Sequence, residues 1–271
     1  MLSVKIDSVP FAISKFIFGT ASLFNIGSQK NRQQLLYSAA DAGFTHFDTA
    51  PYYGFGLAER DLAPLLRARP HVTVTTKVGL YSPGGEKQGD TAVFLRKAAG
   101  RLVSLISRPT LDFSRARAKI ALEGSLRRLG RDCIDIYTLH EPELALLDTD
   151  EWLQWLEACV AHGKVRTFGL ALTADKLEPF LASGSALARF VQVADSLGTR
   201  EADILPRYGK PLQVTYGYVS AARKEDSPQP ASEILIEGAR RNAHGAIIVS
   251  TTRTERLPQY ARLAEEAAHA Q

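Results

Sequence analysis

Along nearly its whole length the chain alternates short apolar stretches with stretches of helical period, and no other feature restricts its fold as tightly. Residues 16–20, 44–48, 72–77, 133–140, 165–172, 190–194, 212–218 and 246–250 are five to eight residues long and rich in β-branched and aromatic side chains, as strands require. Between and after them, 31–43, 58–66, 115–129, 149–162, 175–181, 201–208, 231–242 and 255–268 carry apolar residues at helical spacing. A strand that is followed by a helix and then by another strand pairs in parallel with it. Eight such units predict a closed (β/α)8 barrel formed by one domain over residues 1–271; a doubly wound open sheet is the alternative.

Local signals sharpen this reading. Asn31 reads as the cap of the first helix, and Ser114 and Gly130 as the start and stop signals of the helix between them. Residues 3–6 and 11–14 flank a turn at Pro10 and predict a short hairpin that plugs the barrel floor. After the third strand the pattern breaks for residues 81–113. That segment opens on the turn cluster Ser82-Pro83-Gly84-Gly85 and then offers a helix from Thr91 to Ser107, with Phe94, Ala98, Leu102, Leu105 and Ile106 on one side. It starts where the third strand ends and reads as a candidate lid; Arg96, Lys97, Arg101 and Arg108 give it a basic character.

A formal charge of +4 is too weak and dispersed to indicate a nucleic-acid partner. Cys133 and Cys159 form no C-x-x-C pair and read as reduced thiols. The start, with Lys5 and Asp7 and no apolar h-region, and the lack of any long apolar run predict a cytoplasmic protein with no membrane partner.

In a parallel barrel, chemistry sits where the strands end. The second, third and fourth strands end in Asp48, Lys77 and His140, and Tyr53 lies in the loop after Asp48, beyond Thr49-Ala50-Pro51. Period-two alternation turns His46 and Asp48 to one face and Thr45 and Phe47 to the other. These groups suit the reduction of a carbonyl. Tyr53 holds a proton, and the cation of Lys77 beside it is expected to make that proton easier to give; Asp48 orients Lys77, and His140 hydrogen-bonds the carbonyl oxygen. No side chain supplies hydride, so a nicotinamide cofactor is required.

The set Asp48, Tyr53, Lys77 and His140, with Gly54 and Glu59 after the tyrosine, resembles the tetrad and first signature of the aldo-keto reductases. Residues 129–140 (LGRDCIDIYTLH) resemble the second signature of that family, and 163–169 (GKVRTFG) its entry to strand five. Leu111-Asp112-Phe113-Ser114 is most similar to the branch that acts on sugars and related small aldehydes. The resemblance implies an NADP(H)-dependent enzyme, with NAD(H) possible, acting on a small carbonyl or alcohol. It implies cofactor contacts from Gly19, Thr20, Asp48, Gln192, Tyr216, Ser250, Thr251, Arg256 and Gln259. Departures from the pattern are visible. Ala171 and Leu172 stand where the family has Ser and Asn to bind the carboxamide, Ser250 stands where many NADPH-dependent members carry a lysine after strand eight, and Tyr260 replaces an adenine-binding asparagine that Gln259 is expected to substitute. Arg256 is either the reader of the 2'-phosphate or an exposed helix arginine.

Three other readings are weaker. Gly54-Phe55-Gly56 lacks the third glycine of a dinucleotide loop, and His46 with Asp48 lacks the further ligands of a metal site, so no metal is expected. A sensor or regulatory subunit that keeps the fold and has lost turnover is conceivable from Ala171 and Leu172; the complete tetrad argues against it.

Overall fold

A computed structural model describes residues 1–83, 85–86 and 109–269. Its strands β1 (Phe16–Gly19), β2 (His46–Asp48), β3 (Thr73–Val78), β4 (Ile134–His140), β5 (Val165–Leu172), β6 (Val191–Ala194), β7 (Val214–Tyr216) and β8 (Ala246–Val249) close into a barrel in sequence order. Each pairs in parallel with the next, and β8 returns to β1 through Ile247↔Phe16, Ile248↔Ile17 and Val249↔Phe18. That last pairing excludes the open sheet.

The helices α1 (Gln29–Asp41), α2 (Leu57–Ala68), α3 (Arg115–Leu129), α4 (Thr149–Ala161), α5 (Ala174–Ala182), α6 (Ile204–Arg207), α7 (Tyr218–Lys224), α8 (Ala231–Arg241) and α9 (Leu257–His269) connect or follow these strands. Ser114 Oγ accepts from Arg117 N, and Gly130 ends α3 at φ 62°, a conformation that glycine adopts without strain. Helix α1 begins earlier than expected. Its cap is Ser28, whose Oγ accepts from Asn31 N, so Asn31 lies inside the first turn. Residues 201–208 form a 3-10 turn, Glu201–Asp203, followed by the short α6. Helix α7 is also a difference: the strand expected over 212–218 ends at Tyr216, because Gly217 at φ 106° turns the chain into a helix.

Alternate strand residues face outward into the packed shell between barrel and helices. Phe18 and Phe47 meet at 5.6 Å, and Phe44 and Phe16 hold the Tyr260 ring of α9 edge-on at 5.4 and 5.6 Å. The barrel floor is closed by the expected hairpin, Ser3–Val4 against Ile13–Ser14, whose Ile6, Val9 and Ile13 pack on Ile17, Ile136, Phe190 and Val214. Lys15 fastens the same end by donating to the carbonyl oxygens of Asn242, Ala243 and Gly245. With the floor plugged, the opposite end of the barrel carries the cavity.

At the base of the long segment after β3, Leu80–Tyr81 pairs antiparallel with Thr110–Leu111. The helix and lid expected over 91–107 lie outside the described residues. Both cysteines are unpaired, and among the described residues no helix is long and apolar enough to cross a membrane.

Candidate active site

Residues of all eight strands and the loop that carries Tyr53 converge on a cavity of about 410 Å³ at the open end of the barrel. Its wall includes Gly19, Asp48, Tyr53, Lys77, His140, Gln192, Tyr216, Ser250 and Arg256, which the sequence had singled out. Lys77 Nζ donates to Asp48 Oδ1 at 2.6 Å and to the Thr49 carbonyl oxygen at 3.0 Å. The same ammonium lies 5.0 Å from the centroid of the Tyr53 ring, and the His140 ring stands edge-on to Tyr53 at 6.0 Å.

Local chain geometry explains how Tyr53 reaches this cluster. Asp48 closes β2, Thr49 N still bonds the Thr75 carbonyl oxygen, and the chain then coils through three successive positive-φ residues, Gly54, Phe55 and Gly56, into α2. A β-carbon at Gly56 would press on the Glu86 carbonyl oxygen, so glycine is needed there. Below the cluster His46 is sealed in the barrel, its Nδ1 and Nε2 paired with the hydroxyls of Thr73 (2.7 Å) and Thr75 (2.8 Å).

Burial dominates the electrostatics. It pushes the Asp48 carboxyl up and pulls the Lys77 ammonium down, and in each case the partner's charge opposes it. His140 is held well below its ordinary range by burial and by the charges of Lys77 and Lys176, so it is a neutral imidazole near pH 7. Tyr53 corrects the expectation drawn from Lys77. Burial, followed by the negative charges of Asp48 and Glu141, pushes its phenol well above 10, and the nearby cation does not reverse this.

Three expected cofactor residues stand apart from the wall. Thr20 is buried and spends its hydroxyl on the Asp48 carbonyl oxygen, tying β1 to β2. Thr251 is buried and caps the turn at Arg253, and Gln259 is exposed on α9 outside the cavity lining. Ala171 lines the cavity, whereas Leu172 points into the outer core, as alternation along β5 dictates.

Sequence reasoning missed the wall formed by α7, where Tyr218, Val219, Ser220 and Arg223 face the cavity. Tyr218 is anchored there, its hydroxyl donating to Asp195 Oδ2 at 2.6 Å, and Arg241 closes on the same carboxylate at 2.7 Å. Gly217 directly after Tyr216 was the available sign of that turn. Among the described residues no group of three or more His, Cys, Asp or Glu side chains is placed to hold a metal.

Residues 15–196 match the aldo/keto reductase family. The chain belongs to that family. D-threo-aldose 1-dehydrogenase of a Pseudomonas species is 33% identical over 167 residues, covering 59% of this chain and 50% of that protein. The NADP(+) aldo-keto reductase yakc of Schizosaccharomyces pombe is 32% identical over 168 residues, covering 61% of this chain and 43% of that protein. The matches thus span about half the length of these relatives. In fold, this aldo/keto reductase superposes on the glycerol dehydrogenase of Gluconobacter oxydans with a TM-score of 0.73 at 19% identity, over 99% of this chain and 93% of that one.

Proposed function

We propose that this aldo/keto reductase interconverts an aldehyde or ketone and the corresponding alcohol with a nicotinamide cofactor, Tyr53 giving the proton in reduction. The observation that carries this reading is the meeting of Tyr53, Lys77, Asp48 and His140 on one cavity wall. Hydride reaching a carbonyl carbon leaves negative charge on its oxygen, and that oxygen needs a hydrogen-bond donor and then a proton. Tyr53 and His140 are the donors that face each other across 6.0 Å. His140, neutral, donates through one ring N–H and orients the oxygen. Tyr53 retains its proton until alkoxide character develops. Lys77 lies against the Tyr53 ring and stabilises the phenolate left behind, while Asp48 holds Lys77 in place.

When bound, a nicotinamide cofactor supplies or accepts the hydride. The wall offers donors and surfaces that suit it. Two polar atoms of the cluster, Asp48 Oδ2 and His140 Nδ1, are buried without a hydrogen-bond partner among the described residues. Tyr216 presents an aromatic side chain for stacking, Gln192 an amide, and Gly19 and Ser250 line the path toward Arg256. Arg256 carries a planar guanidinium suited to phosphate and supports NADP(H) over NAD(H), as does the NADP(+) in the name of the yakc relative. Ala171 offers no side-chain hydrogen bond to a carboxamide, which leaves Gln192 to provide it.

The test is steady-state turnover of glyceraldehyde with NADPH by the wild-type chain. No oxidation of NADPH above the uncatalysed rate, with cofactor binding intact, would instead support a cofactor-binding sensor.

A further inference from the structure

We propose that Glu86 is a positioning residue for Tyr53: clasped by Arg60 and Arg117, it fixes the tyrosine loop to the chain segment that carries Lys77 and so aims the phenol at the reacting oxygen. The inference rests on the oxidoreductase reading and adds to it a residue that stands outside the cavity lining.

The tyrosine loop needs support from outside itself. Gly54, Phe55 and Gly56 have φ of 59°, 58° and 81°, and Phe55 is not a glycine, so its left-handed backbone is strained. Such a conformation persists only where its surroundings over-determine it. The turn bonds of the loop, from Tyr53 N to the Ala50 carbonyl oxygen and from Phe55 N to that of Tyr52, run along the chain and hold it to nothing else.

The outside ties come from the chain that continues β3. Beyond Lys77 and Val78, Gly79 turns at φ 106°, where a β-carbon would run into the Phe113 ring, and the segment then meets the tyrosine loop twice. Ser82 Oγ donates to the Tyr52 carbonyl oxygen at 3.4 Å, and the Glu86 carbonyl oxygen lies so close to Gly56 that a β-carbon there would come within 2.5 Å of it. Arg60, in the first turn of α2, joins the two sides: Nη1 donates to the Glu86 carbonyl oxygen at 2.6 Å and Nη2 to that of Phe55 at 3.4 Å. The carbonyls of Tyr52 and Phe55, which bracket Tyr53, are therefore both held by this clasp.

The Glu86 side chain anchors the clasp to the barrel's outer layer. Glu86 is only 8% exposed, and Arg117 of α3 donates from Nη2 to both carboxylate oxygens, at 3.0 and 3.2 Å. The same guanidinium lies 4.1 Å from the centroid of the buried Tyr81 ring. A charge-assisted bond in so buried a place depends on both partners, because either one alone leaves an uncompensated charge. Tyr53 and Lys77 come from different strand and loop units, and the clasp ties those units together beside the pair that meets at 5.0 Å. A proton donor displaced by about 1 Å loses on the order of a hundredfold in rate. The expected cofactor contacts at Gln192, Tyr216 and Arg256 lie on other elements, so loosening the clasp should slow turnover and spare cofactor affinity.

The experiment measures kcat for D-glyceraldehyde and Kd for NADPH in wild type, Glu86→Ala, Glu86→Gln and Arg117→Met. Rates are taken per NADPH-binding site, counted by fluorescence titration, which removes unfolded protein from the comparison. Glu86→Ala and Arg117→Met should each lower kcat by at least about fivefold with the NADPH Kd within about twofold of wild type. Glu86→Gln keeps one oxygen for Arg117 and should recover part of the loss. Smaller losses of kcat in both truncations, a weakening of NADPH as large as the loss of kcat, or a kcat in Glu86→Gln no higher than in Glu86→Ala overturns the inference while the oxidoreductase reading stands. If Glu86→Ala yields no folded protein, Arg117→Met is judged by the same thresholds. Absence of turnover by wild type removes both.

Discussion

Lys77 and Asp48 meet at 2.6 Å inside the barrel with their side chains 1% and 5% exposed, and only one carboxylate oxygen is used. Oδ1 takes the ammonium, while Oδ2 is buried without a hydrogen-bond partner among the described residues. The two charges came out of water together, so each depends on the other. Removing either leaves an uncompensated group in a site that water barely reaches.

Lys77→Met should therefore cost stability as well as chemistry. An unpaired Asp48 carboxylate destabilises by about 3 to 5 kcal/mol or takes up a proton to avoid doing so. The double variant Lys77→Met with Asp48→Asn should recover most of that loss in urea denaturation and none of the aldehyde turnover. If the double variant regains turnover along with stability, the cation has no part in the chemistry.

Tyr53→Phe keeps the ring against Lys77 and His140 and removes only the hydroxyl. Carbonyl reduction should fall by at least about a hundredfold while cofactor affinity stays within a few-fold. Because burial, Asp48 and Glu141 hold the phenol well above 10, alcohol oxidation by wild type should keep climbing with pH through about pH 10, the ordinary value for tyrosine. A plateau near neutrality in that profile would contradict the placement of Tyr53 as the titrating group.

Much of the barrel was legible because period-two and helical patterns report which face each element buries. Asp48, Lys77 and His140 could be placed at one rim because each ends an alternating strand. What escaped depends on contacts between distant segments. The turn at Gly217 that creates the α7 wall looks like strand continuation until Tyr218 finds Asp195. Ala171 and Leu172 part company only once the register His140↔Ala171 fixes which faces inward. The effect of Lys77 on Tyr53 differs from expectation for a similar reason: burial first, then the charges of Asp48 and Glu141, raise the phenol, and the depth of burial is not written in the spacing of the tetrad.

Arg256 and Gln259 sit on opposite sides of a clear division. Both are exposed, but Arg256 lines the cavity and Gln259 lies outside the lining. Arg256→Ala should weaken NADPH binding by roughly 1 to 3 kcal/mol and leave NADH nearly untouched, since only the former presents a 2'-phosphate. Gln259→Ala should change neither in a fluorescence titration. Equal losses of both cofactors in Arg256→Ala would assign that arginine to a group the two cofactors share.

His46 gives the barrel an acid-sensitive element separate from catalysis. Burial first, and the Lys77 charge second, lower its pKa from 6.5 to about 3, and both ring nitrogens are already committed to Thr73 and Thr75. The folded state therefore refuses a proton that the unfolded chain accepts below about 6.5. The stability that neutral His46 contributes is fully present above that value and is lost as pH falls toward about 3, at up to roughly tenfold in the folding equilibrium per pH unit. His46→Gln keeps a polar side chain there and removes the titration. Urea midpoints of wild type and variant, compared at pH 7 and at pH 4.5, separate this effect from carboxylate protonation, which both share. The stability of wild type relative to the variant should shrink at the lower pH; an unchanged gap would mean that His46 binds its proton equally in the folded and unfolded chain.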